Sequence, residues 1–194
     1  MSWWMNRQKK DTFVKKRNKM NLLSRAFFKI KEINEKYNLI NNNCNILELG
    51  AAPGGWTQYL INYTKNITAI DIDNNFKIPQ VKFICGDINS DETIENLGMF
   101  DLILSDISVN ISGNSIVDNM KMYDIYLRYL HICKTNLNAK GTFVAKVLAS
   151  NEAYEFFKLC KLNFNEIVFF KPESSRSQSR EKYIICTEYN RVKF

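Results

Sequence analysis

Asn45-Ile-Leu-Glu-Leu-Gly-Ala-Ala-Pro-Gly-Gly-Trp56 reads as a buried strand that runs directly into a glycine-rich turn and then into a helix. In α/β folds that junction is where a nucleotide-like cofactor is held. Ile46, Leu47 and Leu49 supply the strand, and Trp56-Thr-Gln-Tyr-Leu60 begins a helix whose N-terminus faces the turn. Gly50, Gly54 and Gly55 are expected to let backbone approach a ligand without a Cβ in the way. A glycine-rich turn alone is also what any tight corner needs, so the pattern must repeat before it means more. It does. Ile67-Thr-Ala-Ile-Asp71 is a second apolar strand ending in a carboxylate about 20 residues after the first glycine, the spacing of a ribose acceptor. Val81-Lys-Phe-Ile-Cys-Gly-Asp87 and Phe100-Asp-Leu-Ile-Leu-Ser-Asp106 end the same way, Asp87 being placed to accept from an adenine amino group. Asp is a common turn residue, yet three such strand ends together describe a crevice along one sheet edge.

Outward from this nucleus, strands alternate with helical patterns, which implies an α/β domain with a mostly parallel sheet and helices on both faces. Leu22 to Tyr37 carries helical apolar spacing through Phe27, Ile30 and Ile33, and Asp118 to Leu137 reads as a long amphipathic helix. Gly141 to Val147 is a buried strand, Ser150 caps a helix running to about Leu162, and strands follow near Glu166 to Phe170 and Lys182 to Thr187. No repeat, linker or second domain is visible; residues 1–20 form a basic arm and 21–194 the Rossmann-like domain.

The chain at this point resembles the FtsJ/RrmJ-like 2′-O-ribose RNA methyltransferases. The resemblance is carried by Ser24-Arg-Ala-Phe-Phe-Lys29, Leu49-Gly-Ala-Ala-Pro-Gly-Gly-Trp56, Ser105-Asp106 with Asn110 and Ser112-Gly113, Phe143-Val-Ala-Lys146-Val, and Lys171-Pro-Glu-Ser-Ser-Arg-Ser-Gln-Ser-Arg-Glu181. It implies seven strands with the last pair antiparallel, and S-adenosylmethionine lying across the carboxyl edge. The family's catalytic tetrad falls on Lys29, Asp106, Lys146 and Glu181, with the lysine at 146 as the base and Lys29 positioning the hydroxyl. The implied cofactor contacts are Gly50, Ala51, Pro53, Gly54, Gly55, Trp56, Asp71, Asp87, Ile88 and Asp106. A ribose hydroxyl must lose its proton as it attacks, and a lysine can take it only when neutral. Partial desolvation beside a second cation is the expected device for Lys146 next to Lys29.

Other methyl-transfer chemistries fit less well. Amino-group methylation of bases in related folds displays Pro-Pro-aromatic after the acidic residue, whereas Asp106 is followed by Ile-Ser-Val; C5 methylation of pyrimidines needs a cysteine nucleophile, and no cysteine sits in a Pro-Cys setting. Ser108-Val109 and Asn138-Ala-Lys-Gly141 depart from the family's usual Ala-Pro and Ala-Pro-Gly-Gly without touching the tetrad. Ser2-Trp-Trp-Met-Asn-Arg7 and Asp11-Thr-Phe-Val14 resemble the opening of the bacterial and mitochondrial members that act on a uridine of large-subunit ribosomal RNA. Ribosomal RNA or the assembling large subunit is therefore the expected partner. The alternatives are a tRNA 2′-O-ribose methyltransferase and a non-catalytic RNA-binding assembly factor.

Charge supports a polyanionic partner. Of 27 Lys and Arg against 20 Asp and Glu, residues 1–29 hold nine basic side chains and one acid, leaving 18 basic and 19 acidic in the rest. Lys9, Lys10, Lys15, Lys16, Arg17 and Arg25 are the expected RNA contacts at this end, with Arg176 and Arg180 beside Glu181; a solvated basic tail is the bland alternative. The five scattered cysteines, Cys44, Cys85, Cys133, Cys160 and Cys186, read as buried reduced thiols, and the single histidine, His131, as a structural residue in an apolar helical stretch. No metal site is expected. No apolar run approaches the roughly 18 residues of a membrane span, and Met1 to Arg7 resembles neither a secretory signal nor a transit peptide. The expectation is an intracellular monomer, cytoplasmic in a bacterium and in an organelle matrix in a eukaryote.

Overall fold

Ile46–Leu49 has no solvent-facing side chain, as befits an interior strand, and the computed structural model, which describes residues 12–109, 112–176 and 178–191, sets it inside a seven-stranded sheet. In chain order the elements are helix Thr12–Lys19 (α1), helix Ala26–Tyr37 (α2), strand Ile46–Leu49 (β1), helix Thr57–Leu60 (α3), strand Ile67–Asp71 (β2) and strand Lys82–Cys85 (β3). Helix Asp91–Glu95 (α4), strand Phe100–Ser105 (β4), helix Ser115–Asn136 (α5), strand Leu137–Leu148 (β5), helix Asn151–Lys161 (α6), strand Phe164–Phe170 (β6) and strand Glu181–Tyr189 (β7) complete the domain.

The spatial order is β3-β2-β1-β4-β5-β7-β6. β1 to β5 pair in parallel, and β7 lies antiparallel between β5 and β6. The chain leaves β1 toward β2 and β3, then returns to β4 on the other side of β1. That reversal opens a crevice at the carboxyl ends of β1 and β4. Alternation distributes the core between the two faces. Leu47, Leu49, Ile103 and Phe143 pack under α5 and α6 with Tyr126, Tyr129 and Phe156. Ile46, Leu102, Leu104, Val144 and Tyr183 face Ile30, Ile33, Trp56 and Leu60 of the α2–α3 side. Phe143 is fully buried among Tyr129, Phe156 and Phe164, where truncation to alanine costs about 3–5 kcal/mol.

Several boundaries differ from the sequence expectation for local reasons. α2 starts at Ala26 rather than Leu22, because the Leu23 amide turns away to donate to Gln58 Oε1 and the Ser24 hydroxyl accepts from the Ala26 amide. α5 starts earlier, at Ser115, capped by the Asn114 side chain, which accepts from the amides of Ile116 and Val117. β5 begins at Leu137 directly after α5, and a register shift against Phe100–Leu102 absorbs the extra residues before Gly141. Cys85 is exposed at the sheet edge, against expectation, whereas the other four cysteines are buried. His131 sits on the exposed face of α5 instead of in its apolar stripe. Part of the basic amino-terminal segment is itself structured, since α1 packs Phe13 against Phe28 at 5.4 Å between ring centres.

Candidate active site

Period-two alternation decides where the tetrad meets. Val144 faces the α2 side of the sheet, so Lys146 on the same strand does too, and it pairs across to Tyr183, two residues beyond Glu181 on β7. Lys29 comes from the first turns of α2, and Asp106 lies one residue past the end of β4. All four converge. Asp106 Oδ1 stands 2.9 Å from Lys146 Nζ and 3.6 Å from Lys29 Nζ, and Lys29 Nζ stands 3.7 Å from Glu181 Oε2. Lys146 Nζ also donates to the main-chain oxygen of Asp106 at 2.8 Å. Side-chain exposure is 6% for Lys146, 11% for Lys29, 17% for Asp106 and 26% for Glu181, so the cluster opens toward Glu181.

Two lysines and two carboxylates balance in charge, which is what allows them to be buried together. Burial pushes the Asp106 carboxyl up, but the charges of Lys146 and Lys29 and the hydrogen bonds from Tyr183 and Lys146 outweigh it and hold the group below the usual carboxylate range. The sequence reading invoked repulsion between the two ammonium groups. In the structure both lysines share Asp106 Oδ1, so one carboxylate lies against both.

Tyr183 was not foreseen as a site residue. Its hydroxyl donates to Asp106 Oδ1 at 2.5 Å, and Lys29 Nζ lies 5.6 Å from its ring centre. Burial, together with the Asp106 charge and that hydrogen bond, raises the phenol well above its ordinary value. The available signal was its spacing two residues after Glu181, on the same face of one strand. Glu48, also missed, is buried on β1 and accepts from Thr57 Oγ1 at 2.6 Å; burial lifts its carboxyl to about 8 despite that bond.

Beside the tetrad a cavity of about 530 Å³ opens at the carboxyl edge, within the range of small-molecule sites. Gly50, Asp71, Asp87, Ile88 and Asp106 line it, together with Lys121 and Ile125 from α5. Asp71 Oδ2 accepts from the Ala52 amide at 2.8 Å and Oδ1 from the Asp73 amide at 2.9 Å, which fixes its carboxylate at the cavity wall. Asp87 Oδ1 accepts from the Asn89 amide at 2.9 Å. A smaller pocket of about 100 Å³ adjoins, since Gly50, Ala52 and Asp106 line both. Ala51, Pro53, Gly55, Trp56 and Glu48 border that pocket, and the buried Trp56 Nε1 has no hydrogen-bond partner among the described residues. A large cavity with carboxylates for hydroxyl and amino donors and with apolar Ile72, Ile88, Ile107 and Ile125, adjoined by a smaller pocket, fits an adenosyl amino-acid donor.

Gly54 lines neither pocket and Gly55 lines the smaller one, and at both positions a Cβ would meet neighbouring side chains. At Gly54, with φ of 110°, it would lie 2.8 Å from Ile78 Cγ1, and at Gly55 2.7 Å from Ser24 Cβ. Both glycines therefore also allow protein segments to approach closely, and Gly55 does so while bordering the smaller pocket.

The expected RNA contacts separate into two groups. Lys15 and Lys16 are exposed on α1, with Arg17 half-buried beside them, and Arg176 and Arg180 are exposed near Glu181. Arg25 is corrected: its guanidinium donates to the Ser174 carbonyl and lies 5.9 Å from the Phe13 ring, so it ties α1 and α2 to the β6–β7 loop. Glu32 holds the same loop from α2, accepting from the amides of Glu173 and Ser174. Lys9 and Lys10 lie outside the described residues. Among the described residues no helix is long and apolar enough to cross a membrane.

Residues 22–189 match the model of the FtsJ-like methyltransferase family. The chain is 41% identical over 195 residues to a protein of Francisella tularensis subsp. tularensis (strain WY96-3418) named ribosomal RNA large subunit methyltransferase E, covering 96% of this chain and 95% of that one. A crystal structure of a putative ribosomal RNA methyltransferase from Plasmodium falciparum superposes with a TM-score of 0.75 at 30% identity, covering 86% of this chain and 97% of that one. Human Methyltransferase-like protein 13 in complex with SAH, 14% identical with a TM-score of 0.60 over 85% of this chain and 83% of that one, shares the fold. The chain belongs to the FtsJ-like methyltransferase family.

Proposed function

We propose, from that membership and from the geometry of the four charged residues, that the chain methylates a ribose 2′-hydroxyl of large-subunit ribosomal RNA, at a uridine, with S-adenosylmethionine as donor. The observation that carries this is Asp106. It lines the donor cavity and at the same time touches both Lys146 and Lys29, so donor and acceptor chemistry meet at one carboxylate.

When bound, S-adenosylmethionine supplies an electrophilic methyl group on a sulfonium and leaves as a neutral thioether. The chain's residues supply position and a proton acceptor. Asp71 and Asp87 offer acceptors to hydroxyl and amino groups at the far end of the cavity, and Gly50, Ala51, Pro53, Trp56 and Ile88 shape the remainder. An uncharged lysine amine carries two N–H bonds, and Lys146 meets two acceptors, both on Asp106. Lys146, paired with Asp106 in the free site, gives up a proton to solvent before it can accept one, and its lone pair is then what an approaching hydroxyl encounters. As the O–CH₃ bond forms, the hydroxyl proton passes to Lys146, and the resulting ammonium is held by Asp106. Lys29, anchored between Asp106 and Glu181, orients the acceptor ribose.

RNA reaches this edge past Arg176 and Arg180 near Glu181 and past Lys15, Lys16 and Arg17 of α1, and folded ribosomal RNA is read by shape and unstacked nucleotides. In this reading residues 1–20 act as a basic arm on a domain spanning 21–194, and the chain works as a monomer wherever large subunits are assembled, bacterial cytoplasm or organelle matrix. The test is methyl transfer from labelled donor to ribosomal RNA and to pre-subunits, followed by mapping of 2′-O-methylated positions. One modified uridine in large-subunit RNA is expected. Modification of tRNA instead, or none with any RNA while donor binds, would replace this reading.

A further inference from the structure

The donor cavity has two walls that belong to different elements. One is the turn after β3, comprising Gly86, Asp87, Ile88 and Asn89, and the other is α5, through Lys121 and Ile125. On α5, positions 121, 125 and 128 share one helical face. Arg128 stands on it just beyond the cavity, half-buried, and its guanidinium is spent entirely on the opposite wall. Nε donates to the Ile88 carbonyl at 2.5 Å, Nη2 to the Ser90 carbonyl at 3.0 Å, and Nη1 to Asp91 Oδ1 at 2.6 Å. The hydrogen bond and the charge of Arg128 hold the Asp91 carboxyl below its ordinary range.

We propose that Arg128 is a positioning residue for the methyl donor: it locks the turn that carries Asp87 and Ile88 to α5 and so fixes the width of the cavity between Ile88 and Ile125. The inference rests on the assignment of this cavity to the donor. Three acceptors lying at different angles suit a planar fork of N–H groups, whereas a lysine offers a single point charge on a flexible stem. The carbonyl of Ile88 is the decisive partner, since fixing that peptide fixes the side chain that faces the cavity and the carboxylate beside it. Asp87 contributes to the same rigidity from within, accepting from the Asn89 amide while its carbonyl accepts from Ser90. The turn is therefore held locally by itself, to β2 by the Gly86 amide, which donates to the Asp71 carbonyl, and to α5 by the described hydrogen bonds of Arg128.

The test uses calorimetric titration of the full-length chain with S-adenosylmethionine and with S-adenosylhomocysteine, alongside hydrogen exchange of the free protein. Arg128→Met keeps the stem and removes the fork. It should weaken both ligands about tenfold, a factor equal to about 1.4 kcal/mol, with turnover at saturating donor and the KM for RNA within about twofold of wild type. Amides of residues 86–91 should exchange faster while those of β4 and β5 keep their protection, a local signature that general destabilisation would not produce. Arg128→Lys should be intermediate, and it carries the test by the same donor-specific split if Arg128→Met does not fold. Asp87→Ala serves as the reference for the cavity itself. Wild-type donor affinity in the Arg128 variants with weakened binding in Asp87→Ala would overturn the positioning role alone. Wild-type affinity in all of them would overturn the assignment of the cavity as well.

Discussion

Glu48, buried, and Asp106, largely shielded, are carboxyls at the same pocket, reached from neighbouring strands, and their affinities for protons are shifted in opposite directions. Glu48, in β1, has a hydroxyl and an amide for partners, and burial lifts it to about 8. Asp106, past β4, feels the same push from burial, but Lys146, Lys29 and Tyr183 outweigh it and keep the group ionised. Burial without a cation raises one carboxyl, and burial beside two cations leaves the other an anion. The β1 side of the site is built from turns, neutral groups and backbone; the β4–β5–β7 side is built from paired charges. Partners, rather than depth, set the chemistry of each region.

The comparison breaks most visibly if its cation is removed. Lys146→Ala should lower methyl transfer by about 10²- to 10⁴-fold, the range expected for loss of a positioned acid–base group. Donor affinity should stay within about twofold, as measured by single-turnover transfer with saturating RNA and by calorimetry. Near-native turnover would place the base elsewhere.

On the donor side the reverse split is expected. Asp71→Ala and Asp87→Ala should each weaken S-adenosylmethionine binding by about 1.5–3 kcal/mol, the worth of a charge-assisted hydrogen bond. Turnover at saturating donor should change far less. Unaltered calorimetric affinity in both folded variants would remove carboxylate recognition from this cavity.

The opposite shifts make opposite pH predictions for stability. Glu48 has a folded-state value raised from 4.5 to about 8, so its contribution to stability falls as pH rises across that window. Glu48→Gln should therefore gain in melting temperature relative to wild type as pH goes from 5 to 8, with little difference near pH 4. Asp106 is depressed below its ordinary 3.8, so its stabilisation is present above that value and lost as pH falls through the folded one. Asp106→Asn should lie below wild type at neutral pH and approach it in acid. Parallel pH profiles for the two variants would refute the contrast.

The smallest effect belongs to Tyr183→Phe. It deletes one hydrogen bond from a carboxylate that keeps two lysines, so turnover should drop by less than about tenfold. A loss as large as that of Lys146→Ala would make the phenol a direct participant.

Much of this was legible before any coordinates. Apolar runs ending in Asp71, Asp87 and Asp106 marked the strands and the crevice, because period and turn chemistry are local properties. The tetrad was legible because each member sat in a recognisable motif. What escaped depended on contacts distant in sequence. Tyr183 reads as one more aromatic in a buried strand, and nothing nearby in the chain announces Asp106, 77 residues away. Glu48 looks like the solvent-facing member of an alternating strand, yet this strand has no solvent face. Arg25 reads as an RNA contact, but its guanidinium meets the Ser174 carbonyl, and nothing in the sequence around Arg128 announces the turn after β3 that it holds. Gly54 and Gly55 were recognisable as special, and only packing shows that Ile78 and Ser24 occupy the missing space.

The position of β7 has a consequence for how the enzyme comes into being. It is the last described strand to be synthesised, yet it lies between β5 and β6, both of which precede it. Until residues 181–189 emerge, β5 and β6 lack the partner that joins them, and Lys29 waits for a carboxylate encoded 152 positions later. At about 5–20 residues per second, the earlier elements have seconds in which to fold around an unfinished sheet. Insertion of the final strand at once closes the sheet and completes the tetrad, so a nascent chain that has already formed its donor cavity cannot yet act on RNA.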